Sequence, residues 1–580
     1  MTTRRDRPRH PWGVEWTPVG RILTALSLLL FFAEPSRGQD AEARVVTIVN
    51  ADSVAGSVVD GERVRTLVGR VHLIQDSTDL RARRATQFLD RSEILFEGNV
   101  EIADGTDTLN ARQVRYDSNT RVGRAEGEIR LADAEAELFS NSVTFFRAVK
   151  RATFDEPVRL VERAGDAVLT SARGTYLTGS KEAFFEGDVR LVDSVTVLTS
   201  ARGRYGTEDK RADFTGDVHL VHEQSTRLDA DTLTHFRDTE LSFARGNVVV
   251  ERFGGRDDDA DAPPDTTRRT LLFGGKGFHD ERARFSRVEI DPLLVRLETD
   301  STATDTLLVR AQVLEASQPD SLDGRVPPPG GRFQRLTARR DVRLVGPQLS
   351  AVADSAVFDR VEFAADTARA TPPVRDHVWL YRDPVGWLNA RGSSVVTEIS
   401  GDSIRVAARD EAVDSVRVFG RAFAARRDST LDRIDQIRGR QMLALFARDS
   451  LRWMHVWPTA EAVYFRADDA GALEGAVRFS ADSLAFRFDG DALRRVHGVR
   501  GVQGTYYDVD LIPEPLRLDG FRYAPERRPT RAGLLAENPL ARRRAPPPPP
   551  SDLPASAEPP DALPAEMIEP VGTAEADTDT

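Results

Sequence analysis

The stretch Ala183-Phe184-Phe185-Glu186-Gly187-Asp188-Val189-Arg190-Leu191 returns 29 residues later as Ala212-Asp213-Phe214-Thr215-Gly216-Asp217-Val218-His219-Leu220. In both copies apolar residues alternate with polar ones on either side of a glycine, which places the apolar set on one face of a strand. The Gly-x-Val or Gly-x-Ile signature also stands at Gly69-Arg70-Val71, Gly98-Asn99-Val100, Gly127-Glu128-Ile129 and Gly246-Asn247-Val248, with a degenerate copy at Glu156-Pro157-Val158. Successive copies are 29, 29, 29, 31, 29 and 30 residues apart. A ladder of that regularity marks a repeat architecture, in which each unit buries its apolar face against its neighbours.

Within each unit the glycine is followed by an apolar pair, as in Val100 and Ile102, Ile129 and Leu131, Val189 and Leu191, or Val218 and Leu220. A small residue and an aromatic come next: Ala111 and Tyr116, Ala172 and Tyr176, Ala201 and Tyr205, Ala230 and Phe236. These twelve apolar and aromatic positions (Val100, Ile102, Tyr116, Ile129, Leu131, Tyr176, Val189, Leu191, Tyr205, Val218, Leu220 and Phe236) are candidates to line a groove for hydrocarbon chains. The same residues would also serve to fill an ordinary closed core. Turn-forming clusters such as Asp117-Ser118-Asn119 and Thr178-Gly179-Ser180 separate the strands. With strands of ~5–6 residues, a unit holds roughly three, and the whole reads as two facing antiparallel sheets.

The pattern extends over residues 44–253. Residues 254–330 read as a linker with an irregular β segment, bounded by the charged Asp257–Asp261 run with Pro263-Pro264 and by Pro327-Pro328-Pro329. Alternation resumes over residues 331–525 as a second, diverged array. Residues 531–580, rich in proline, alanine and acid, read as a disordered tail. The fold class expected is therefore all-β: stacked antiparallel repeats in two tandem arrays.

Arg4, Arg5, Arg7, Arg9 and Arg21 precede an apolar run from Ile22 to Ala33, with Ser36 and Gly38 at cleavage-site spacing, so residues 1–38 read as a secretory signal peptide. The apolar run is shorter than the ~20 residues of a spanning helix. The periplasm is the compartment this implies. A net charge of −12 argues against a general nucleic-acid binder. With no cysteine, there is no disulfide, thiolate metal site or cysteine nucleophile. His219 and His222, three apart on a strand, face opposite sides and make no metal pair. The acidic run lacks the spacing of a calcium loop, and Gly274-Gly275-Lys276-Gly277 lacks the frame of a phosphate loop. The expectation is a non-catalytic protein without cofactor. Arg112, Arg115, Arg190, Arg202 and Arg204 flank the strands and are candidates for phosphate contacts, or for a solvated face.

The cycle of Gly-x-Val-x-Leu, then Leu-x-Ala, then Tyr or Phe, then Ala-x-x-Gly resembles the OstA-like family over Val45 to Arg252. Residues 434–523 are similar to the carboxyl-terminal part of long OstA-like proteins. They contain Gln436-Ile437-Arg438-Gly439-Arg440, Ala460-Glu461-Ala462-Val463-Tyr464-Phe465, Ile512-Pro513-Glu514 and Leu518-Asp519-Gly520-Phe521. The resemblance implies a V-shaped β-jellyroll of the LptA type that binds lipopolysaccharide or a related glycolipid. It also implies end-to-end pairing with other OstA-like domains of a periplasmic transport bridge, by β-augmentation, and a role in outer-membrane assembly. The alternative is a structural or adhesive exported β-repeat protein.

Overall fold

The computed structural model describes residues 46–544 apart from turn residues and short segments, of which 255–264, 364–373 and 390–394 are the longest. The leader read at residues 1–38, the Asp257–Asp261 run and residues 545–580 of the tail lie outside the described residues. What is described is almost entirely antiparallel sheet: 36 strands, each hydrogen-bonded to its neighbours.

The glycine ladder turns out to be a ladder of β-bulges. Strand Glu182–Val192 pairs with Thr196–Gly206, and the register jumps from Glu186↔Arg202 to Val189↔Ser200. Gly187 and Asp188 together oppose one residue, so the strand bends without losing its ladder. Gly187 sits at φ +75° and Asp188 at φ 48°. A Cβ on Gly187 would lie 3.0 Å from the Ala172 Cβ, and one on Gly216 2.8 Å from that of Ala201, so both the dihedral and the close contact disfavour a side chain. The next position is left-handed as well, at Asn99, Asp217 and Asn247, and short side chains that bond locally tolerate this best. The partner strands change parity at the same level: Leu198 and Ser200 point inward, then Gly203 and Tyr205. Ser200 Oγ donates to the Arg202 carbonyl at 3.0 Å and Ser171 Oγ to that of Arg173 at 2.9 Å, tying down the backbone at the kink.

Each repeat is thus two long strands bent in the middle, not three short ones. A bulge bends the chain while the hydrogen bonds continue, and a period-two pattern does not distinguish a bend from an end. Where the glycine is replaced by Glu156-Pro157 the strand does break, into Arg151–Phe154 and Val158–Glu162, because proline cannot donate to the ladder.

Pairing also continues through the region expected to be an irregular linker. Asp265–Asp280 pairs with Leu241–Gly254 and then with both Phe285–Glu289 and Leu293–Thr299. The bulge divides each bent strand between two walls of sheet; because neighbours are antiparallel, the first half of one strand pairs with the second half of the next, and two lateral rows of residues can be followed from strand to strand through both arrays.

The chain then doubles back. From Ile512 it runs along the outer face of the second array, hooked by Gln436, which donates to the Leu516 carbonyl at 3.1 Å and accepts from the Leu518 amide at 2.9 Å. Glu398 accepts from the Ala524 amide and the Trp387 indole, both at 2.9 Å. Residues 531–544, expected to be disordered, form helices Arg531–Ala536 and Pro539–Arg544. Thr530 caps the first of them, and Leu534 and Ala541 are buried in one cluster with Val249, Leu271, Phe273 and Leu308. Composition of the whole tail concealed these few apolar residues, which find a ready surface on the sheet.

Candidate functional site, the interior of the two arrays

The interior is bounded by one row of residues from each sheet. In the first array the row on one sheet is nearly all leucine: Leu131↔Leu138, Leu160↔Leu169, Leu191↔Leu198 and Leu220↔Leu228 face each other across neighbouring strands. The row on the other sheet alternates large with small: Tyr116, Gly123, Phe145, Ala152, Tyr176, Ala183, Tyr205, Ala212. Phe145, Tyr176 and Tyr205 each have alanine or glycine on both sides, and Tyr116 has Gly123 on one side and Ile94 on the other, so the rings fit the space that the small residues leave. The result is one contiguous packed cluster in which Leu160, Leu198 and Leu228 have no exposure at all.

Of the twelve positions expected to face a groove, Val100, Ile102, Ile129, Leu131, Tyr176, Val189, Leu191, Tyr205, Val218 and Leu220 are buried in this cluster. Tyr116 is half-buried in the same row. Phe236 is on the opposite face: its neighbours Leu233 and His235 point inward, and its ring lies under the Arg211 guanidinium. The parity change at Asp231-Thr232, set by the facing bulge at Gly246-Asn247, moved the interior position from Phe236 to His235. None of the five arginines points inward. Arg112 pairs with Glu128, Arg115 with Glu93 at 2.9 Å, and Arg204 bridges Glu182 and Asp213. Burial works to raise the Asp213 pKa, but hydrogen bonds from Arg211, Thr234 and Arg204 outweigh it and hold the group below its ordinary value. Arg190 and Arg202 are exposed. His219 is exposed beside Asp229, while His222 is buried and bonded to Thr196.

At the junction of the arrays the large–small row turns polar. His235 meets Ser242 and His279 meets Ser286, with Nδ1–Oγ distances of 3.0 and 2.9 Å. Burial pushes the His279 pKa down to about 3, aided by His235, so the ring is neutral.

Beyond the junction both rows lose bulk. The leucine row continues as Leu344↔Ala351, Gly386↔Ile399, Ala424↔Ile437 and Ala462↔Phe479. The aromatic row continues as Val378, Val406, Val416, Ala444 and Met454. With leucine replaced by alanine or glycine on one wall and tyrosine by valine on the other, the walls no longer meet. A cavity of about 560 Å³ opens between them, lined by Ile399, Val416, Val418, Ala424, Ile437, Met442, Ala444, Met454, Ala462, Phe479 and Phe486. That is within the range of about 300–1,000 Å³ for small-molecule sites. One wall carries a charged pair, Arg426 and Asp435, at 2.9 Å. Burial raises the Asp435 pKa although Arg426 and the Phe465 amide oppose the shift. At the open end stand Arg494, Arg495, Val496 and Val502, all exposed.

These residues were not legible as a site. The signal was present, as alanine and glycine at positions where earlier repeats carry leucine, but it is visible only once the strand register is known. The structure also explains the sequence blocks of the second array. Gln436 and Arg438 clasp the returning segment at Leu516, Leu518 and Asp519, and Ala462 lines the cavity.

No curated protein matches the chain. The family model described as OstA-like protein matches residues 43–194, which lie in the filled first array, while the cavity lies outside the matched stretch. Over residues 43–194 the chain is similar to the OstA-like proteins.

Proposed function

We propose that the chain is an exported, non-catalytic, periplasmic lipid-binding component of lipopolysaccharide transport or outer-membrane assembly, and that it holds acyl chains in the cavity of the second array. The observation that carries this reading is the cavity itself. An empty apolar void costs about 24 cal/mol per Å³ when it is left by truncation. At that rate 560 Å³ amounts to on the order of 10 kcal/mol, as an upper bound because the cavity has an open end. That is comparable with the whole stability of a typical domain. Each methylene transferred into the cavity gains about 0.8 kcal/mol. Seating hydrocarbon there relieves a cost that the first array, with the same fold, avoids by being filled.

The ends of the stack support the partner half of the proposal. Ser53–Val59 pairs only with Glu62–Gln75 among the described residues and is exposed along its length, Val58 to 67%. Gln503–Asp508 is equally one-sided at the other end. Such edges accept a further strand from a related domain.

Photoreactive side chains at Met442 and Ala462 should capture lipopolysaccharide, whereas the same group at Leu191 or Leu220 should capture little. Folded protein with no adduct at either cavity position would remove the acyl-binding reading. The packed first array favours a second reading, a purely structural repeat protein, and that same result would leave it standing.

A further inference from the structure

The sheet that walls the cavity has an outer face of different character, and we infer that this face docks on an anionic lipid-bilayer surface. It is built on strands Val374–Tyr381, Ser403–Arg409 and Ser450–Trp457, with residues 412–419 and 441–447 of the two bent strands between them. Five strands at ~4.8 Å spacing make it about 19 Å wide. Three of the six tryptophans of the chain, Trp379, Trp453 and Trp457, lie here, half-buried, beside Tyr381 and Phe419. Trp379 stacks on Tyr381 and on Phe419, with centroids 5.9 and 5.6 Å apart, and Trp457 stacks on His455 at 4.6 Å. Arg405 lies 5.4 Å from the Trp379 ring, and Arg417 lies 4.9 Å from Phe419 and 5.6 Å from Trp457.

The same lateral row in the first array is electrically compensated, as in the bridge of Arg204 to Glu182 and Asp213. Here it is not. Arg405 donates to His377, whose pKa burial and Arg405 itself lower, and Arg417 donates to Gln441 at 2.9 Å. Both acceptors are neutral. Neither guanidinium has a carboxylate within ion-pair distance among the described residues, and the nearby Asp359 and Asp376 are taken by Arg335 and Arg360. The face therefore offers two uncompensated cations set among tryptophan, tyrosine and leucine, with Leu445 40% exposed. Indole rings and arginine together are the composition of protein surfaces at the lipid headgroup level, and a positive surface complements anionic lipid.

The test is flotation of the full chain with vesicles of phosphatidylglycerol and phosphatidylethanolamine, set against vesicles of phosphatidylcholine. The wild-type chain should float with the anionic vesicles alone and release as salt is raised. Arg405→Gln with Arg417→Gln should weaken binding about tenfold or more, each basic residue near a surface contributing ~1 kcal/mol. Arg405→Lys with Arg417→Lys keeps the charge and should keep most of the binding, which separates loss of charge from loss of fold. A chain whose cavity is filled by Ala424→Leu with Ala462→Leu should float like wild type, so this proposal and the acyl-binding one fail separately. Equal recovery with neutral vesicles, no recovery with either, or undiminished binding by the glutamine pair would overturn it. Displacement by a soluble phosphorylated glucosamine disaccharide would overturn it in favour of a saccharide site.

Discussion

The two arrays share one fold and one continuous set of strand pairings, yet leucine and tyrosine pack the interior of the first while a cavity opens in the second. The difference lies in a few side chains. Where Leu191 and Leu198 face each other in the first array, Ala424 and Ile437 do so in the second. Where Tyr176 and Tyr205 reach across the interior, Val416 and Met454 stand instead. Backbone hydrogen bonds hold each sheet together whatever its side chains, so the fold tolerates a gap that a core held by side-chain packing alone would close. The bulges are shared: Gly420 at φ +63° and Arg421 at φ 46° reproduce in the second array the bend of the glycine ladder. The architecture is thus independent of whether the interior is filled, and the interior is free to become a site.

Truncation of an interior side chain should cost far more in the first array than in the second. Leu198→Ala, in the filled array, should destabilise by about 3–5 kcal/mol, because its neighbours cannot collapse into the gap. Ile437→Ala, on the cavity wall, should cost about 1–2 kcal/mol, since it is already without partners on one side. Denaturant melts of the two variants check this, and equal costs would mean that the cavity is closed in solution.

The polar junction between the arrays should make the protein acid-sensitive. The folded-state pKa of His279 is about 3 against an ordinary value near 6.5. The unfolded chain therefore binds a proton at His279 below about pH 6.5 while the folded chain does not. The stability present above that pH is lost progressively as pH falls toward 3, by about 2 kcal/mol at pH 5. His279→Leu should flatten the fall measured by thermal melts across this window. An unchanged pH profile would show that the ring is not held neutral.

Gly216→Ala should cost about 2 kcal/mol, from the left-handed dihedral and the contact with Ala201. The same change at Gly56, with open space around it and no positive φ, should cost nothing measurable. A gain in stability, rather than a loss, carries the functional test. Ala424→Leu with Ala462→Leu should raise stability by about 1 kcal/mol by filling the cavity and should abolish lipopolysaccharide capture at Met442. Capture that survives the filled cavity would place the lipid elsewhere.

Much of the first array could be read in advance. The apolar face of its strands follows from alternation between one bulge and the next, and ten of the twelve positions expected to line a groove are buried in a packed cluster. Phe236 shows the limit. Counting by twos fails when a bulge on the neighbouring strand shifts parity, and only the pairing of Thr232 with Arg245 reveals the shift. The helices after Thr530 show another limit, since Leu534 and Ala541 are too few to fold alone and become ordered only against an apolar sheet face.

By itself the sequence determined the repeat, its period, the strand alternation and the glycine at each bend, because these obey local rules of dihedral angle and side-chain direction. It could not show that alanines and valines far apart in the chain lie opposite one another. Whether an interior is filled depends on the summed volume of side chains from two facing sheets, and that sum exists only once the register has brought the two walls together.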